Sequence, residues 1–413
     1  MKVALIDVVY GYASTGKIVD TIHRHLMNSG YESRAYFGRG SANLTPHVKK
    51  ISTDIEVAID AGLSRITGYT GIFSPLATAR LIAELEEYQP DVIHVHELHG
   101  YYVNYFVLIE YFKAKDIPVV WSLHCEQTYT GRCGNALDCD QWKTQCVKCP
   151  RLNDYPSSWK FDRSHEQFER KKKMFEGMNR IVFAPVSDWL LSRLRQSFLK
   201  DRPARVVHNG IDTEATFYPR QPQDLRARYG LAGRYVIVSA ALDLMTTIKG
   251  GQWVVDLASR LQDKPISFLM IGVRSSIDFP PNVIPLPVMK SQTDLAAHYS
   301  LADLFLITSQ AETFSLVCAE SLACGTPVVG FDSGGPSEVA PEPFGRFVPY
   351  GDLAAIEAVV VNIQEGKTRV PDKEACVNYA RAEFSNGHMI QGFLSLYQEM
   401  ATKHLPIEME TQA

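Results

Sequence analysis

Short runs of apolar, β-favouring residues alternate with longer helix-patterned stretches along the whole of this chain, and no other feature limits its folds as much. The runs expected as strands are Val3–Val8, Asp91–Val95, Val119–Leu123, Ile181–Ala184, Val206–Val207, Tyr235–Ala240, Ile266–Ile271, Leu304–Thr308, Pro327–Gly330 and Arg346–Val348. Several are almost uninterrupted hydrophobic sequence, as strands buried on both faces of a parallel sheet are. Between them lie helical patterns at Lys17–Asn28, Tyr102–Lys115, Ser164–Met178, Asp188–Phe198, Gly251–Gln262, Thr293–Leu301 and Ser315–Ala323. Repeated strand–helix alternation predicts doubly wound α/β sheets.

One such sheet rarely needs more than about 200 residues, and the chain has 413. Two Rossmann-like domains facing each other across a cleft are therefore expected, residues 1–208 and residues 209–385. A closing helix within 386–413 is expected to pack back on the first domain, with a frayed tail at Pro406–Ala413. The crossing falls at Asn209-Gly210-Ile211-Asp212, ahead of the polar stretch Pro219–Asp224. In such an arrangement the ligand lies in the cleft, at the C-terminal ends of the strands.

Forty-two Lys and Arg against 46 Asp and Glu leave a net charge of −4, which argues against a nucleic-acid binder. The balance is uneven, +4 over residues 1–205 and −8 over the remainder. A basic half can steer anionic ligands or rest on an anionic membrane surface; two domains can equally differ by chance. No apolar run approaches the roughly 18 residues of a membrane span, and Met1–Asp7 is too short and too soon charged for an export signal. A cytoplasmic protein is expected, its eight cysteines serving as reduced thiols or metal ligands rather than as a disulfide framework.

The segment Ser309–Val329 is the most informative. A strand ends near Ser309, a loop comes next, and a helix opens near Ser315 with Gly325 as its stop. The amides at that helix start, with the positive end of its dipole, suit a diphosphate or a polar sugar. Glu312 precedes the helix and Glu320 lies more than a turn inside it, so they could hold two ends of one extended ligand. An arbitrary E-x7-E pair is otherwise two solvated glutamates.

The whole block Glu312–Val329 resembles the signature of the retaining GT-B glycosyltransferases of family 4, in which E-x7-E precedes a small-residue helix and a G-x-P-V-V strand. The resemblance implies a GT-B α/β fold and a nucleoside-diphosphate sugar as co-substrate, with no catalytic metal. It implies that Glu312 faces the donor sugar beside the backbone amides of Thr313, Phe314, Ser315 and Leu316, and that Glu320 binds the ribose hydroxyls. Asn209-Gly210-Ile211-Asp212 is similar to the family's interdomain crossing. Lys249-Gly250 is similar to its K-G, whose lysine meets the diphosphate. Asp332-Ser333-Gly334-Gly335-Pro336-Ser337-Glu338 resembles its glycine loop, where backbone can approach a phosphate. The arginine that usually precedes the lysine is missing from Ala240–Ile248; Arg274 is a candidate replacement.

In the first half, Gly11-Tyr12-Ala13-Ser14-Thr15-Gly16-Lys17-Ile18 is one residue short of a Walker A loop, because Ile18 stands where a magnesium-binding hydroxyl belongs. Gly11 and Gly16 suit instead the first strand–helix loop of a GT-B enzyme, which approaches the donor phosphate. His94 and His96 alternate along one strand as core or cleft-lining residues, and His99 is a cleft candidate. His124 matches the family's histidine after a strand, where the imidazole lies near the donor sugar. The usual aspartate after it is replaced by Cys125, with Glu126 next, which leaves open whether a carboxylate supports the histidine.

Cys133, Cys139, Cys146 and Cys149 come next as C-x5-C-x6-C-x2-C within the loop 125–150. Four thiolates with a terminal C-x2-C suit a structural zinc ion; buried free thiols are the other reading, and an iron–sulfur centre a third. Asp138-Cys139-Asp140 is a formal D-x-D that coincidence explains. The same region, from Thr130-Gly131-Arg132-Cys133 to Tyr155-Pro156, resembles a narrower group, the bacterial exopolysaccharide transferases of colanic-acid, capsule and O-antigen assembly.

This resemblance implies a hexosyl transfer with retained configuration to an undecaprenyl-diphosphate-linked oligosaccharide, in cell-surface polysaccharide biosynthesis at the inner face of the plasma membrane. It also implies that the leaving phosphate takes the acceptor proton in same-face attack, and that Glu312, His124 and Lys249 carry the site. The basic helix Glu169-Arg170-Lys171-Lys172-Lys173 is either a solvated face or a peripheral membrane contact. A catalytically silent nucleotide-sugar-binding scaffold and a sugar-nucleotide 2-epimerase are the rival readings.

Overall fold

In a computed structural model that describes residues 1–221, 223–274 and 277–402, the apolar runs pair in parallel, and the central strands are buried on both faces. The tail 406–413 lies outside the described residues. The chain divides into two units, Met1–Val207 with the segment from Ile390 onward, and His208–Met389.

The first unit runs β1 (Lys2–Asp7), α1 (Ala13–Asn28), β2 (Glu32–Phe37), β3 (Val48–Lys50), α2 (Asp54–Thr67), α3 (Pro75–Tyr88), β4 (Val92–Val95), α4 (Tyr105–Ala114), β5 (Val119–Leu123), α5 (Ser164–Met174), β6 (Ile181–Pro185) and α6 (Asp188–Leu194). Its strand order is β3-β2-β1-β4-β5-β6, every neighbouring pair parallel. The order reverses at β1 and β4. Such a switch point opens a crevice at the C-terminal edge of the sheet, and Asp7, His96 and His124 stand at that edge.

The second unit runs α7 (Gln223–Arg228), β7 (Tyr235–Ala240), α8 (Gly251–Arg260), β8 (Ile266–Ile271), β9 (Val283–Leu286), α9 (Gln292–Leu301), β10 (Leu304–Ile307), α10 (Leu316–Ala323), β11 (Val328–Asp332), α11 (Pro336–Val339), β12 (Gly345–Pro349), α12 (Leu353–Gln364) and α13 (Lys373–Phe384). The order β12-β11-β10-β7-β8-β9 repeats the first topology, again all parallel. Ile237, Phe268, Met270, Leu306, Val329, Val254 and Leu257 form part of its core. The final helix, α14 (Asn386–Ala401), is anchored in the first unit beyond Ile390. There the Tyr397 hydroxyl meets His94 Nδ1 at 2.6 Å, and Arg205 forks onto Glu399 at 2.8 and 2.7 Å.

The strand expected at Val206–Val207 does not form. That stretch runs alongside β6 through the Arg205 and Val207 amides, but only Ala204 bridges to Phe183, too little for a strand.

Candidate active site

In the second unit the site is built from three strand–helix loops at the C-terminal edge of the sheet. After β7, the loop returns through Lys249 to Gly250, whose φ of +68° opens α8. A Cβ on Gly250 would stand 2.2 Å from the Thr308 carbonyl oxygen, so only glycine allows this loop to seat against the end of β10. The Thr308 hydroxyl in turn donates to the Lys249 carbonyl at 3.1 Å, and the Gln310 amide to Ile248 at 2.8 Å. The Lys249 ammonium then reaches the Glu312 carboxylate at 2.6 Å.

The loop after β11 is clipped to Glu312 by main chain. The Glu312 amide donates to the Ser333 carbonyl at 3.1 Å and the Gly335 amide to the Glu312 carbonyl at 2.8 Å, with Glu312 and Gly334 paired as an isolated parallel bridge. Gly335 has no room for a side chain: its Cβ would lie 2.6 Å from the Thr313 carbonyl oxygen and 2.7 Å from Phe314 Cα. Phe314 is buried against the His208 and Phe384 rings. Ser315 caps α10 from the left-handed region, φ +89°, and its hydroxyl reaches Cys318 Sγ at 3.1 Å.

The first turn of an α-helix has amides without intrahelical acceptors, so the start of α10 at Leu316 adds donors and a positive dipole end beside the Lys249–Glu312 pair. Glu320 lies further along α10, buried, accepting from the Tyr299 hydroxyl at 3.3 Å. The structure thus gathers Lys249, Glu312, Thr313–Leu316 and Gly334–Gly335 at one edge. Arg274, exposed, comes after β8 on the same edge.

In the first unit, the Gly11 amide donates to the Gly16 carbonyl at 2.9 Å. Gly16, expected in the loop, lies instead inside α1, buried, where a Cβ would stand 3.0 Å from Val9 Cγ2, so Gly11 alone belongs to the loop. Ile18 is buried in the core, so the Walker-like segment has no hydroxyl to offer there. His124, just past β5, stacks on His96 with ring centroids 5.3 Å apart and shares a 3.0 Å hydrogen bond between His124 Nε2 and His96 Nδ1. His94 is fully committed to Tyr397 and to Ser122, at 2.6 and 2.8 Å. Burial depresses His94 and His96 well below the usual imidazole range, so both are neutral core groups.

Sequence reasoning missed a carboxylate here. Glu126 does not serve His124: it accepts from the Ala136 amide at 2.6 Å and pairs with Arg193. The nearby negative charge is Glu97, from the loop after β4, which joins His99 at 2.6 Å and accepts from the Cys125 thiol at 3.5 Å. Burial lowers the His124 pKa, and the Glu97 charge opposes that effect. Asp7, at the end of β1, accepts from the Glu97 amide at 3.1 Å; burial, with Glu97 adding to it, pushes it up to about 7. No local motif could have linked residues 7, 97 and 124; only the parallel pairing of β1, β4 and β5 brings their strand ends together.

The basic helix also needs a correction. Lys171 is buried, its ammonium donating to the Gln127 and Thr130 carbonyls at 2.5 and 3.1 Å, so it cannot face a membrane; Lys172 and Lys173 remain exposed. Residues of one helix separated by a single position point in different directions, and the side packed against the cysteine loop claims Lys171. The four cysteines Cys133, Cys139, Cys146 and Cys149 line one small cavity of that loop.

Known proteins align with both units. Residues 15–215 match the family described as Glycosyltransferase Family 4, and residues 233–365 match Glycosyl transferases group 1. Over 330 residues, 75% of this chain and 77% of that protein, the sequence is 28% identical to the colanic acid biosynthesis glycosyl transferase WcaC of Escherichia coli K12. Among solved structures, the sucrose-phosphate synthase of Thermosynechococcus elongatus gives a TM-score of 0.70 at 17% identity, covering 97% of this chain and 98% of that one. Alr3699/HepE of Anabaena, in complex with UDP-glucose, gives 0.65 at 15% identity over 96% and 99%. With its two six-stranded parallel sheets and a family match on each, the chain carries the GT-B fold of the group 1 and family 4 glycosyltransferases.

Proposed function

We propose that this protein transfers a hexosyl group from a nucleoside-diphosphate sugar to a hydroxyl of a lipid-linked oligosaccharide, with retention, in the assembly of a cell-surface polysaccharide. The observation that carries the reading is the Lys249–Glu312 pair set beneath the start of α10 and beside the Gly334–Gly335 backbone. Likeness to WcaC supports the polysaccharide setting, and the UDP-glucose complex of Alr3699/HepE supports the donor class.

In this reading negative charge grows on the departing diphosphate as the glycosidic bond loosens. Lys249 and main-chain amides of Thr313–Leu316 and Gly334–Gly335 stabilise it, already in place before the reaction begins. Glu312 grips hydroxyls of the sugar and Glu320 those of the ribose, while Gly11 lets backbone approach the phosphates. From the first unit, His124 positions the sugar. The leaving phosphate takes the acceptor proton, so no protein nucleophile and no catalytic metal are invoked.

A membrane-resident acceptor needs the enzyme at a surface. Among the described residues no helix is long and apolar enough to cross a membrane. Helix α2, however, buries two polar residues and turns its large apolar ones outward. Asp60 and Ser64 are buried and hydrogen-bonded to each other at 2.9 Å, whereas Ile55, Ile59, Leu63 and Ile66 are 73, 55, 38 and 51% exposed. Trp159, 69% exposed, is tied to the end of α2 by its amide on the Arg65 carbonyl at 2.8 Å. That exposed stripe supports a peripheral membrane contact through α2 in place of Lys171.

The test is a panel of labelled sugar nucleotides incubated with lipid-linked acceptors. Acceptor-dependent nucleotide release that collapses in Glu312→Ala is the expected result. Binding without turnover points to a scaffold, an isomerised donor to an epimerase, and unchanged release by the variant contradicts the assignment.

A further inference from the structure

Segment 124–163, between β5 and α5, has a single short 3-10 turn at Gln141–Lys143 as its regular structure. Loops beyond about 15 residues without secondary structure are uncommon in compact domains and need something to hold them. This one is nevertheless folded inward: Tyr129, Arg132 and Trp142 are buried within it, with the Tyr129 and Trp142 rings 5.3 Å apart.

At its centre Cys133, Cys139, Cys146 and Cys149 surround a cavity of about 10 Å³. All four are free cysteines. The Gly131 amide points at Cys146 Sγ, 3.2 Å away, a donor suited to a thiolate rather than to a thiol. Gly131 can do so because it has no side chain; a Cβ there would lie 2.5 Å from the Ser164 carbonyl oxygen and 2.8 Å from Cys146 Cβ.

Two cations are buried against this cage. The Arg132 guanidinium lines the cavity, 1% exposed, donating through Nη2 to the Pro156 carbonyl while Nε and Nη1 have no hydrogen-bond partner. Lys171 is equally buried and meets only main-chain carbonyls of the same loop, those of Gln127 and Thr130, in its hydrogen bonds. Among the described residues Lys171 meets no carboxylate, and Arg132 has only Asp162 acting on it from beyond hydrogen-bond reach. Buried charge that is under-compensated is costly, and four neutral thiols supply no further counter-charge.

We propose that Cys133, Cys139, Cys146 and Cys149 hold one structural zinc ion, whose anionic tetrathiolate shell is the counter-charge of Arg132 and Lys171. Four S–H protons leave to solvent and four Zn–S bonds form, so the filled cage carries two negative charges against two positive ones. No electron is transferred. A cavity of about 10 Å³ is the size of one ion and too small for an iron–sulfur cluster. Tetrahedral coordination at about 2.3 Å per Zn–S bond sets the sulfurs roughly 3.8 Å apart; among the described residues no three of these sulfurs lie mutually within 4.8 Å, so loading draws the side chains inward. Cys125 stays outside the set, engaged with Glu97. This inference does not depend on the proposed transfer reaction.

The experiment is elemental analysis of the full-length protein purified with reductant and without chelator, with a mercurial titration that counts the thiols releasing the metal. About one zinc per chain, freed as four thiols react, is expected. Cobalt replacement should give the intense visible bands of tetrahedral thiolate coordination, and chelation should expose segment 124–163 to protease. Cys146→Ser with Cys149→Ser should lower zinc at least fivefold, and Cys125→Ser should retain it; where the double variant fails to fold, the titration of the wild-type chain decides. Metal-free protein with four reduced thiols, disulfides among these cysteines, bound iron, or loss of zinc in Cys125→Ser each overturns the proposal.

Discussion

Lys249 Nζ lies 2.6 Å from Glu312 Oε1 across 63 residues of sequence, with about a third of the lysine side chain open to solvent. A partly solvated ion pair of this kind contributes only about 0–1 kcal/mol to folding. Stability is therefore a poor reason for its geometry, and ligand binding a better one. Lys249→Ala is expected to leave the thermal midpoint nearly unchanged while lowering kcat/KM about 100-fold, since one preorganised donor to a leaving oxyanion is removed. Parallel melting curves and initial rates check it. A large loss of stability with unchanged turnover would reverse the assignment of roles.

Asp7 gives a pH dependence with a definite sign. Its pKa is 3.8 as a free side chain and about 7 in the fold, raised by burial and then by Glu97. Between those values the native state binds the proton that the unfolded state has released, so stability falls as pH rises from about 4 to about 7. Asp7→Asn keeps an oxygen for the Glu97 amide and cannot ionise. Denaturant titrations should show this variant losing part of that slope and gaining stability at pH 8, with about 4 kcal/mol as the ceiling set by three pKa units. An unchanged slope would mean that Asp7 does not titrate in this range.

Glu97 and His99 form the opposite case. Against the cost of burial, Glu97 holds His99 well above its usual 6.5, and His99 holds Glu97 below its usual 4.5. The histidine's contribution to stability is complete below pH 6.5 and is lost as pH climbs through its folded pKa. The carboxylate's is complete above 4.5 and is lost as pH drops through its own. Imidazole NMR should find His99 protonated at pH 7 in the wild type and released toward neutrality in Glu97→Gln. A His99 resonance that titrates identically in both proteins would remove Glu97 as its partner.

The fold was legible because buried parallel strands announce themselves: Val119–Leu123, Tyr235–Ala240 and Ile266–Ile271 are strands to the residue. The strands that escaped are polar or short. β2 opens Glu32-Ser33-Arg34, β3 is Val48-Lys49-Lys50 at a sheet edge, and β9 contains Pro285. Helix α2 was legible and passed over: Ile55, Ile59, Leu63 and Ile66 recur at helical spacing behind a Thr53–Glu56 capping box, and only the outward direction of that stripe was beyond the sequence. At the site, the motifs named Lys249 and Glu312 separately, but their contact depends on how the loops after β7, β10 and β11 stack. Glu97 carried no local signal, and a run of three lysines could not say which one turns inward.

Ser315 tests backbone strain at the start of α10. Its φ of +89° is a conformation that L side chains rarely adopt, at a cost on the order of 1–2 kcal/mol. Ser315→Gly relieves it and should leave stability equal or up to about 1 kcal/mol higher, while a β-branched Ser315→Val should cost at least about 1 kcal/mol. Calorimetry of the three proteins decides. A valine variant as stable as the serine protein would show that the loop relaxes freely.

The exposed stripe of α2 makes a separable claim about the membrane. Ile55 and Ile59 lie on solvent, so replacing both with glutamate removes no core packing and should shift stability by less than about 0.5 kcal/mol per site. On a bilayer the same change withdraws apolar area from the acyl boundary and places two negative charges against anionic headgroups. Sedimentation with anionic vesicles should therefore fall at least roughly tenfold for Ile55→Glu with Ile59→Glu. Lys172→Gln with Lys173→Gln, on exposed positions of α5, should reduce it less and in a salt-dependent way. Transfer to a short-chain, water-soluble acceptor should survive in the α2 variant, because neither isoleucine belongs to the loops that carry Lys249, Glu312 or His124. If vesicle binding is untouched while the soluble reaction fails, α2 serves the fold of the first unit rather than a membrane.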